Sequence, residues 1–414
     1  MADVLPRMID AELRACADAH PVTLVAGPRA CGKTTAAQRI AAATVRLDRA
    51  DEAAAFRADP SAALRGIAAR PLLLDEWQEV PAVMPALKAA ADAGGPAAGP
   101  VLLTGSVRPA AAEAWPATGR MVELAMGPMT QRELRGGGDG RGAVAALIAG
   151  EDLRVDPGGP CDLVDYVGLA LAGGFPVPAL TLDERGRQRW YAAYVDQIAG
   201  RDLVAILRRA DPDRARRYLE ACALHSSCVV DAKVLFDAAG INRKTADGYE
   251  AVLARLFVLA HVPAWSSSRL TRLVRAPKRL LADVGLMAAA ARFAPADVLR
   301  DGVLLGRVME TFVHAQLAPE LAARHPGVRL CHLRTDSGGR HEVDFVLDLG
   351  GGRVAAIEVK SGAGADGADA RHLAWLRDRL GDDFVRGVVL HTGERVHPLG
   401  ERIVAAPIRA LWET

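Results

Sequence analysis

What this chain lacks narrows it first. Six cysteines (16, 31, 161, 222, 228, 331) in 414 residues form no C-x-x-C pair, so no oxidising compartment is indicated. Cys222, His225 and Cys228 cluster as metal ligands do, but they lie in an apolar helical run and are read as core. No 18-residue apolar stretch occurs, and Asp3, Pro6, Arg7 and Asp10 stand where a secretory signal would be apolar. The expectation is a soluble, cytoplasmic protein that meets no membrane. An excess of charge of one sign is missing too: 51 Lys plus Arg against 50 Asp plus Glu leave +1. Nucleic acid binding would therefore need local patches rather than a global field. Lysine itself is scarce, at positions 33, 88, 233, 244, 278 and 360 only. A lysine here thus marks a place that wants an ammonium rather than a guanidinium. Half the residues are hydrophobic, which excludes disorder as the default, and the length predicts two to four domains.

The stretch Val22 to Thr35, VTLVAGPRACGKTT, carries the strongest signal. An apolar strand, a loop (Gly27, Pro28, Arg29, Ala30, Cys31, Gly32) and a helix start at Lys33 follow in the order that G-x-x-x-x-G-K-[ST] requires. The glycines let backbone N–H groups converge on a phosphate. Lys33 would reach the β- and γ-phosphates and Thr34 a Mg2+, with Thr35 next in the helix, expected over Thr34 to Ala43. Downstream, PLLLDE (71–76) is a buried strand ending in two carboxylates, where ligands of parallel sheets sit. Asp75 fits a Mg2+ ligand and Glu76 the base that orients the attacking water. Val101 to Thr104 predicts the neighbouring strand, with Thr104 and Ser106 as γ-phosphate sensors. Arg120, before a further strand, is a candidate to reach a phosphate in its own subunit or in a neighbour's.

The runs GPRACGKTT, LLLDEWQEVP, LLTGS, GR and GPMTQREL resemble the bacterial and archaeal AAA-type ATP-binding proteins that carry a C-terminal domain of unknown function. The family reads GPRQVGKTT, DEIQ, LTGSS, AGR and PLS..E there. The resemblance runs on through Gly173-Gly174-Phe175-Pro176 and Arg201-Asp202-Leu203, with Arg201 a candidate from family position. Ala30-Cys31 replaces Gln-Val, Thr130 replaces Ser, and a Gly-rich insert spans 136–142. The resemblance implies ATP and Mg2+ as cofactors.

Residues 161–225 read as a helical lid rich in arginine (208, 209, 214, 216, 217). From Val229 to Leu259 the spacing predicts a helix-turn-helix in which Asn242 caps the second helix and Arg243 and Lys244 begin it. A wing would follow with Arg269, Arg272, Arg275, Lys278 and Arg279, a candidate contact for double-stranded DNA or for a protein partner.

Near the C-terminus, HEVDFVLDL and RVAAIEVK (341–349, 353–360) predict a hairpin centred on Gly351 that sets Asp344 opposite Glu358. Facing carboxylates repel unless a cation lies between them. Asp, hairpin, then Glu-x-Lys is the PD-(D/E)XK nuclease pattern, with Asp344 and Glu358 on a metal, Lys360 at the attacking water, and Glu310 added from a helix over Leu305 to Leu317. The alternative is a nuclease-like platform with a salt-bridged Asp, Glu and Lys and no turnover.

The whole predicts an α/β protein: an AAA-like P-loop NTPase with a parallel sheet (1–160), a helical lid (161–225), a winged helix (226–295) and a restriction-endonuclease-like α/β domain (296–414). Three functions remain open. One is a Mg2+-dependent ATPase controlling the DNA- or partner-binding modules, in a chain that could form homo-oligomers. The others are a metal-dependent DNA nuclease gated by ATP, and a nucleotide switch without turnover.

Overall fold

The computed structural model describes residues 5–94, 99–109, 119–138, 140–153, 155, 161–207, 210–266, 276–335 and 341–413. The N-terminal domain is built on five parallel strands: β1 (Val22–Ala26), β2 (Ala43–Arg46), β3 (Leu72–Asp75), β4 (Val101–Gly105) and β5 (Met121–Ala125). They lie side by side in the order β2-β3-β4-β1-β5. Three of them, β1, β3 and β4, are buried along their whole length, which is why they read as continuous apolar runs rather than alternating ones. Helix α1 (Asp10–Ala19) packs Leu13 and Cys16 beneath the sheet. The helix after the 27–32 loop, α2 (Lys33–Gln38), is shorter than expected. The chain turns at Arg39 and Ile40 to enter β2, an edge strand of intermediate burial throughout that the sequence pattern did not reveal.

Behind β5, Thr130 caps α3 (Gln131–Leu134) in a reciprocal capping box with Glu133. A helical layer follows: α4 (Leu163–Ala172), α5 (Glu184–Gln197), which ends in a π-helical turn at Ile198–Asp202, and α6 (Pro212–Leu224). Then come α7 (Ala232–Ala238) and α8 (Arg243–Arg255), the latter capped by Asn242, whose Oδ1 accepts from Thr245 N at 2.9 Å. Strands β6 (Leu259–Val262) and β7 (Lys278–Leu281) close this unit as an antiparallel pair. Helix α9 (Val284–Ala291) returns to pack on both α5 and α6. The apolar core is therefore continuous across residue 225.

The C-terminal domain opens with α10 (Gly302–Arg324), two turns longer than expected at its C-terminal end. Next come β8 (Arg329–Arg334), β9 (Glu342–Asp348), β10 (Val354–Val359), α11 (Arg371–Leu380), β11 (Phe384–His391), β12 (His397–Gly400) and β13 (Ile403–Pro407). The sheet order is β12-β13-β11-β10-β9-β8, with β8, β9 and β10 an antiparallel meander and β11 parallel to β10. The C-terminal part of α10 docks on the N-terminal domain: Gln316 Oε1 accepts from Gln131 N at 2.6 Å and, from the added turns, Glu320 Oε1 accepts from Val144 N at 3.2 Å. No described helix is long and apolar enough to cross a membrane.

Candidate functional site

Because all five strands are parallel, the ends of β1, β3 and β4 open on one edge of the sheet. The loop after β1 is tightly wound there. A Cβ on Gly27 would collide with the Met126 carbonyl oxygen, so only glycine fits. Ala30 (φ 61) and Gly32 (φ 100) take left-handed backbone, which turns the loop back on itself. Lys33 is buried, and its Nζ donates to the Pro28 carbonyl at 2.8 Å, so its ammonium lies within the loop. Thr35, one residue past Thr34, is exposed.

The oxygens expected to gather do so. Thr34 Oγ1 and Thr104 Oγ1 both donate to Asp75 Oδ1, at 2.7 and 2.5 Å. Thr104 Oγ1 in turn accepts from the backbone N–H of Glu76 at 3.1 Å. Glu76 is left-handed (φ 58), a conformation that costs a non-glycine residue about 1–3 kcal/mol unless its surroundings enforce it. Ser106 Oγ holds the Glu76 carboxylate at 2.9 Å, and Gln78 Nε2 also donates to it. Gln78 had no part in the sequence reading, although it stands in the same DEWQ run. A hard cation suits this donor set of hydroxyl and carboxylate oxygens at a loop rich in amides, so these residues could hold ATP with Mg2+.

Arg120 is the exception. It immediately precedes β5, at the opposite end of the strands, and its Nε pairs with Asp92 at 2.9 Å on the surface. A role on the phosphates of its own subunit is thereby corrected.

Three braces were not legible in the sequence. Arg7, buried, donates to Glu133 Oε1 (2.9 Å), the Cys31 carbonyl (2.7 Å) and the Gly127 carbonyl (2.9 Å), tying the loop to α3. From α5, Tyr194 donates to the Arg29 carbonyl at 3.2 Å, and Arg29 pairs with Asp202 at 3.5 Å. Burial pushes the Asp202 carboxyl up, with Arg29 and Arg201 opposing. Arg201, the residue before Asp202, is exposed. Arg214, Arg216 and Arg217 are tied to Asp211, Asp196 and the Ala239 carbonyl instead, and Arg208 and Arg209 lie outside the described residues. The third brace is Arg108. Two residues past Ser106, its N–H donates to the Arg255 carbonyl (2.9 Å) at the end of α8, Arg255 Nε returns a bond to its carbonyl (3.1 Å), and its guanidinium lies 4.7 Å over Phe257.

Residues 19–135 match the model of an AAA domain. The N-terminal segment is an AAA-type nucleotide-binding domain. Residues 163–297 match a domain of unknown function (DUF8612), which runs across the expected boundary at 225, and 305–411 match a second (DUF4143). The uncharacterized proteins Mb2031c of Mycobacterium bovis and Rv2008c of Mycobacterium tuberculosis are each 26% identical over 413 residues, 98% of this chain and 84% of theirs. Among solved structures, the Walker-type ATPase PABY2304 of Pyrococcus abyssi is similar over 70% of this chain and 99% of its own (TM-score 0.36, 13% identity). The Orc1 protein of Aeropyrum pernix in complex with DNA is similar over 72% and 95% (TM-score 0.27, 16% identity).

Away from the AAA domain, the expected carboxylates also converge, but around a different cation. The hairpin turns on Gly350, Gly351 and Gly352, all left-handed, and pairs Ile357 with Phe345, so Glu358 falls opposite Asp344. Lys360 Nζ meets Glu358 Oε1 at 2.8 Å, and Glu310 comes in from α10. Between Glu310 and Asp344 lies the ammonium of Lys278, from β7. Among the described residues no group of three or more His, Cys, Asp or Glu is arranged to hold a metal ion. This corrects the metal assignment of Glu310, Asp344 and Glu358 for the arrangement seen here, because a lysine takes the space. It also corrects the wing: Lys278 and Arg279 are buried rather than turned to a partner, Arg279 pairing with Glu250 at 2.9 Å. Arg269, Arg272 and Arg275 lie outside the described residues, while Arg243 and Lys244 are exposed. Cys222 is packed in the core, as read.

Proposed function

We propose that this protein is a Mg2+-dependent ATPase of the AAA type whose nucleotide state acts on the helical and C-terminal modules behind it. The observation that carries the reading is the strained Glu76, held in place by Thr104, Ser106 and Gln78 beside Asp75. Mere nucleotide binding needs no such residue; orienting a water does. Lys33 and the loop N–H groups would bind the β- and γ-phosphates, and Thr34 and Asp75 would hold Mg2+, which supplies charge neutralisation when bound. Both side-chain bonds to Glu76 fall on Oε2 among the described residues, which leaves Oε1 to take a proton from the attacking water. That proton passes on to the released phosphate as the bond to ADP breaks. Tyr194, Asp202 and Arg201 close the site from the lid.

The bonds of Arg108 to Arg255 and its contact with Phe257 are the route by which β4 reaches the unit of α7, α8, β6 and β7. We read that unit as a winged helix, and the C-terminal sheet as a nuclease-like platform. Exposed Arg243 and Lys244 favour double-stranded DNA as a partner for it, with a protein partner as the other reading. Arg120 would act only in trans, in a homo-oligomer that presents the opposite sheet edge.

The test is phosphate release by wild type, Lys33→Ala and Glu76→Gln with Mg-ATP, with and without double-stranded DNA. Glu76→Gln should bind ATP with wild-type affinity and lose turnover at least a hundredfold; Lys33→Ala should lose binding. Turnover unchanged in Glu76→Gln would refute the assigned base. ATP binding by wild type without any turnover would leave the nucleotide switch as the reading.

A further inference from the structure

A cavity of about 380 Å³ lies where three parts of the chain meet. Pro28, Arg108 and Met126 wall it from the AAA domain, Phe257 and His261 from the unit of α7, α8, β6 and β7, and α10 from the C-terminal domain. Ala315, Ala318 and Ala322, three and four residues apart, share the face of α10 that lines it, and all three are only half-buried. Methyl side chains on that face leave room that larger ones would fill. The wall opposite is specific. Phe257 takes left-handed backbone (φ 59), which a bulky residue adopts only where its surroundings enforce it, and its side chain stays half-buried. The Arg108 guanidinium stands 4.7 Å from the centre of the Phe257 ring and gives its Nε to Glu123 at 3.1 Å. His314, 5% exposed, also lines the cavity, and its Nδ1 finds no hydrogen-bond partner among the described residues. A buried ring nitrogen without a partner is costly, and a polar atom brought by a ligand would remove that cost. His261, by contrast, is already held by Glu250 at 2.6 Å.

Among the described residues of the wall, Arg108 is the only Lys, Arg, Asp or Glu, so the charge favours an anion. The Phe257 ring favours a flat aromatic group, since ring faces stack and the guanidinium already lies over one. Thr34, Asp75, Glu76, Thr104 and Ser106 do not border the cavity, which is thus separate from the oxygens gathered for Mg2+. We propose that this cavity binds a small planar aromatic molecule carrying one negative group, with its ring on Phe257, its anion on Arg108 and a polar atom at His314. A largely apolar cavity of this size with a few convergent polar groups is the usual form of a small-molecule site. The ligand sits on the contact between Arg108 and the end of α8 and touches all three modules, so its binding favours their present arrangement. Binding there requires no turnover of ATP.

The experiment is fluorescence titration of the full-length protein with anilinonaphthalene sulfonate, an aromatic anion, and with its uncharged counterpart phenylnaphthylamine, with and without saturating Mg-ATP. Wild type should bind one sulfonate per chain, about tenfold more tightly than the uncharged probe, and Mg-ATP should not displace it. Arg108→Leu should bind the two probes alike, and Ala318→Phe, which fills the cavity, should lose the site for both. Displacement of the sulfonate by Mg-ATP would overturn the proposal by placing the probe in the nucleotide site, as would undiminished binding to a folded Ala318→Phe. So would equal affinity of wild type for the two probes, a comparison that needs no variant to fold.

Discussion

Arg7→Met is the sharpest test of how the phosphate loop is held. The substitution keeps the length of the stem and removes the guanidinium from three acceptors at 2.7–2.9 Å. Glu133 keeps the N–H groups of Met8 and Thr130, both at 2.8 Å, but loses its cation while only 2% exposed. Breaking a buried ion pair from one side costs about 3–5 kcal/mol. The carbonyls of Cys31 and Gly127 each lose a charged donor, which falls within that range rather than adding to it, so about 4 kcal/mol is expected. Urea unfolding followed through a fluorescent ATP analogue reads both the stability of the AAA domain and its affinity. The loop should also bind nucleotide at least tenfold more weakly, equivalent to about 1.4 kcal/mol. A cycle with Glu133→Gln should return a coupling of about 1.5–3 kcal/mol, because the double variant leaves no unpaired charge. Additive effects and unchanged affinity would refute the claim that this pair braces the loop.

Two further outcomes follow from the geometry. Burial and Lys278 push His314 down to about 4, so it is neutral in the folded chain and ordinary once unfolded. Its contribution is complete above about pH 6.5 and is lost as pH falls toward 4, about 3 kcal/mol at about 1.36 per unit. Urea titrations at several pH values should show that slope, and His314→Gln should flatten it; an unchanged slope would remove His314 as its source. Arg120→Ala breaks only an exposed pair with Asp92, so stability should change by less than about 1 kcal/mol. Turnover of the single chain should stay at the wild-type level, and a large fall measured below the concentration of any oligomer would contradict the placement of Arg120 at the far sheet edge.

The local chemistry of the nucleotide site was legible because each part is written in a few adjacent residues. Gly27, Gly32 and Lys33 must be neighbours for the loop to turn, and Asp75 and Glu76 must end an apolar strand to sit at the sheet edge. The helix cap at Asn242 and the glycine hairpin at 350–352 are equally local, and both formed as expected. The end of α2 was not legible, because Ile40 and the alanines at 41–43 continue a helix-compatible run with no glycine or proline to stop it. The chain turns at Arg39 instead, and residues 43–46 pair with β3 as the edge strand β2.

What the sequence determined by itself was therefore the set of short-range devices: the phosphate loop, the strand ends, the caps and turns, and the pairing of Asp344 with Glu358. Only the tertiary structure decided who shares space with them. Arg7 meets Glu133 across 126 positions, Arg108 meets Arg255 across 147, and Lys278 enters a carboxylate cluster 66 positions from Asp344. Such contacts follow from how whole elements pack, and no spacing along the chain encodes them. A side chain is a ligand, a brace or a counter-ion according to the burial and charge around it, and those are properties of the assembled fold.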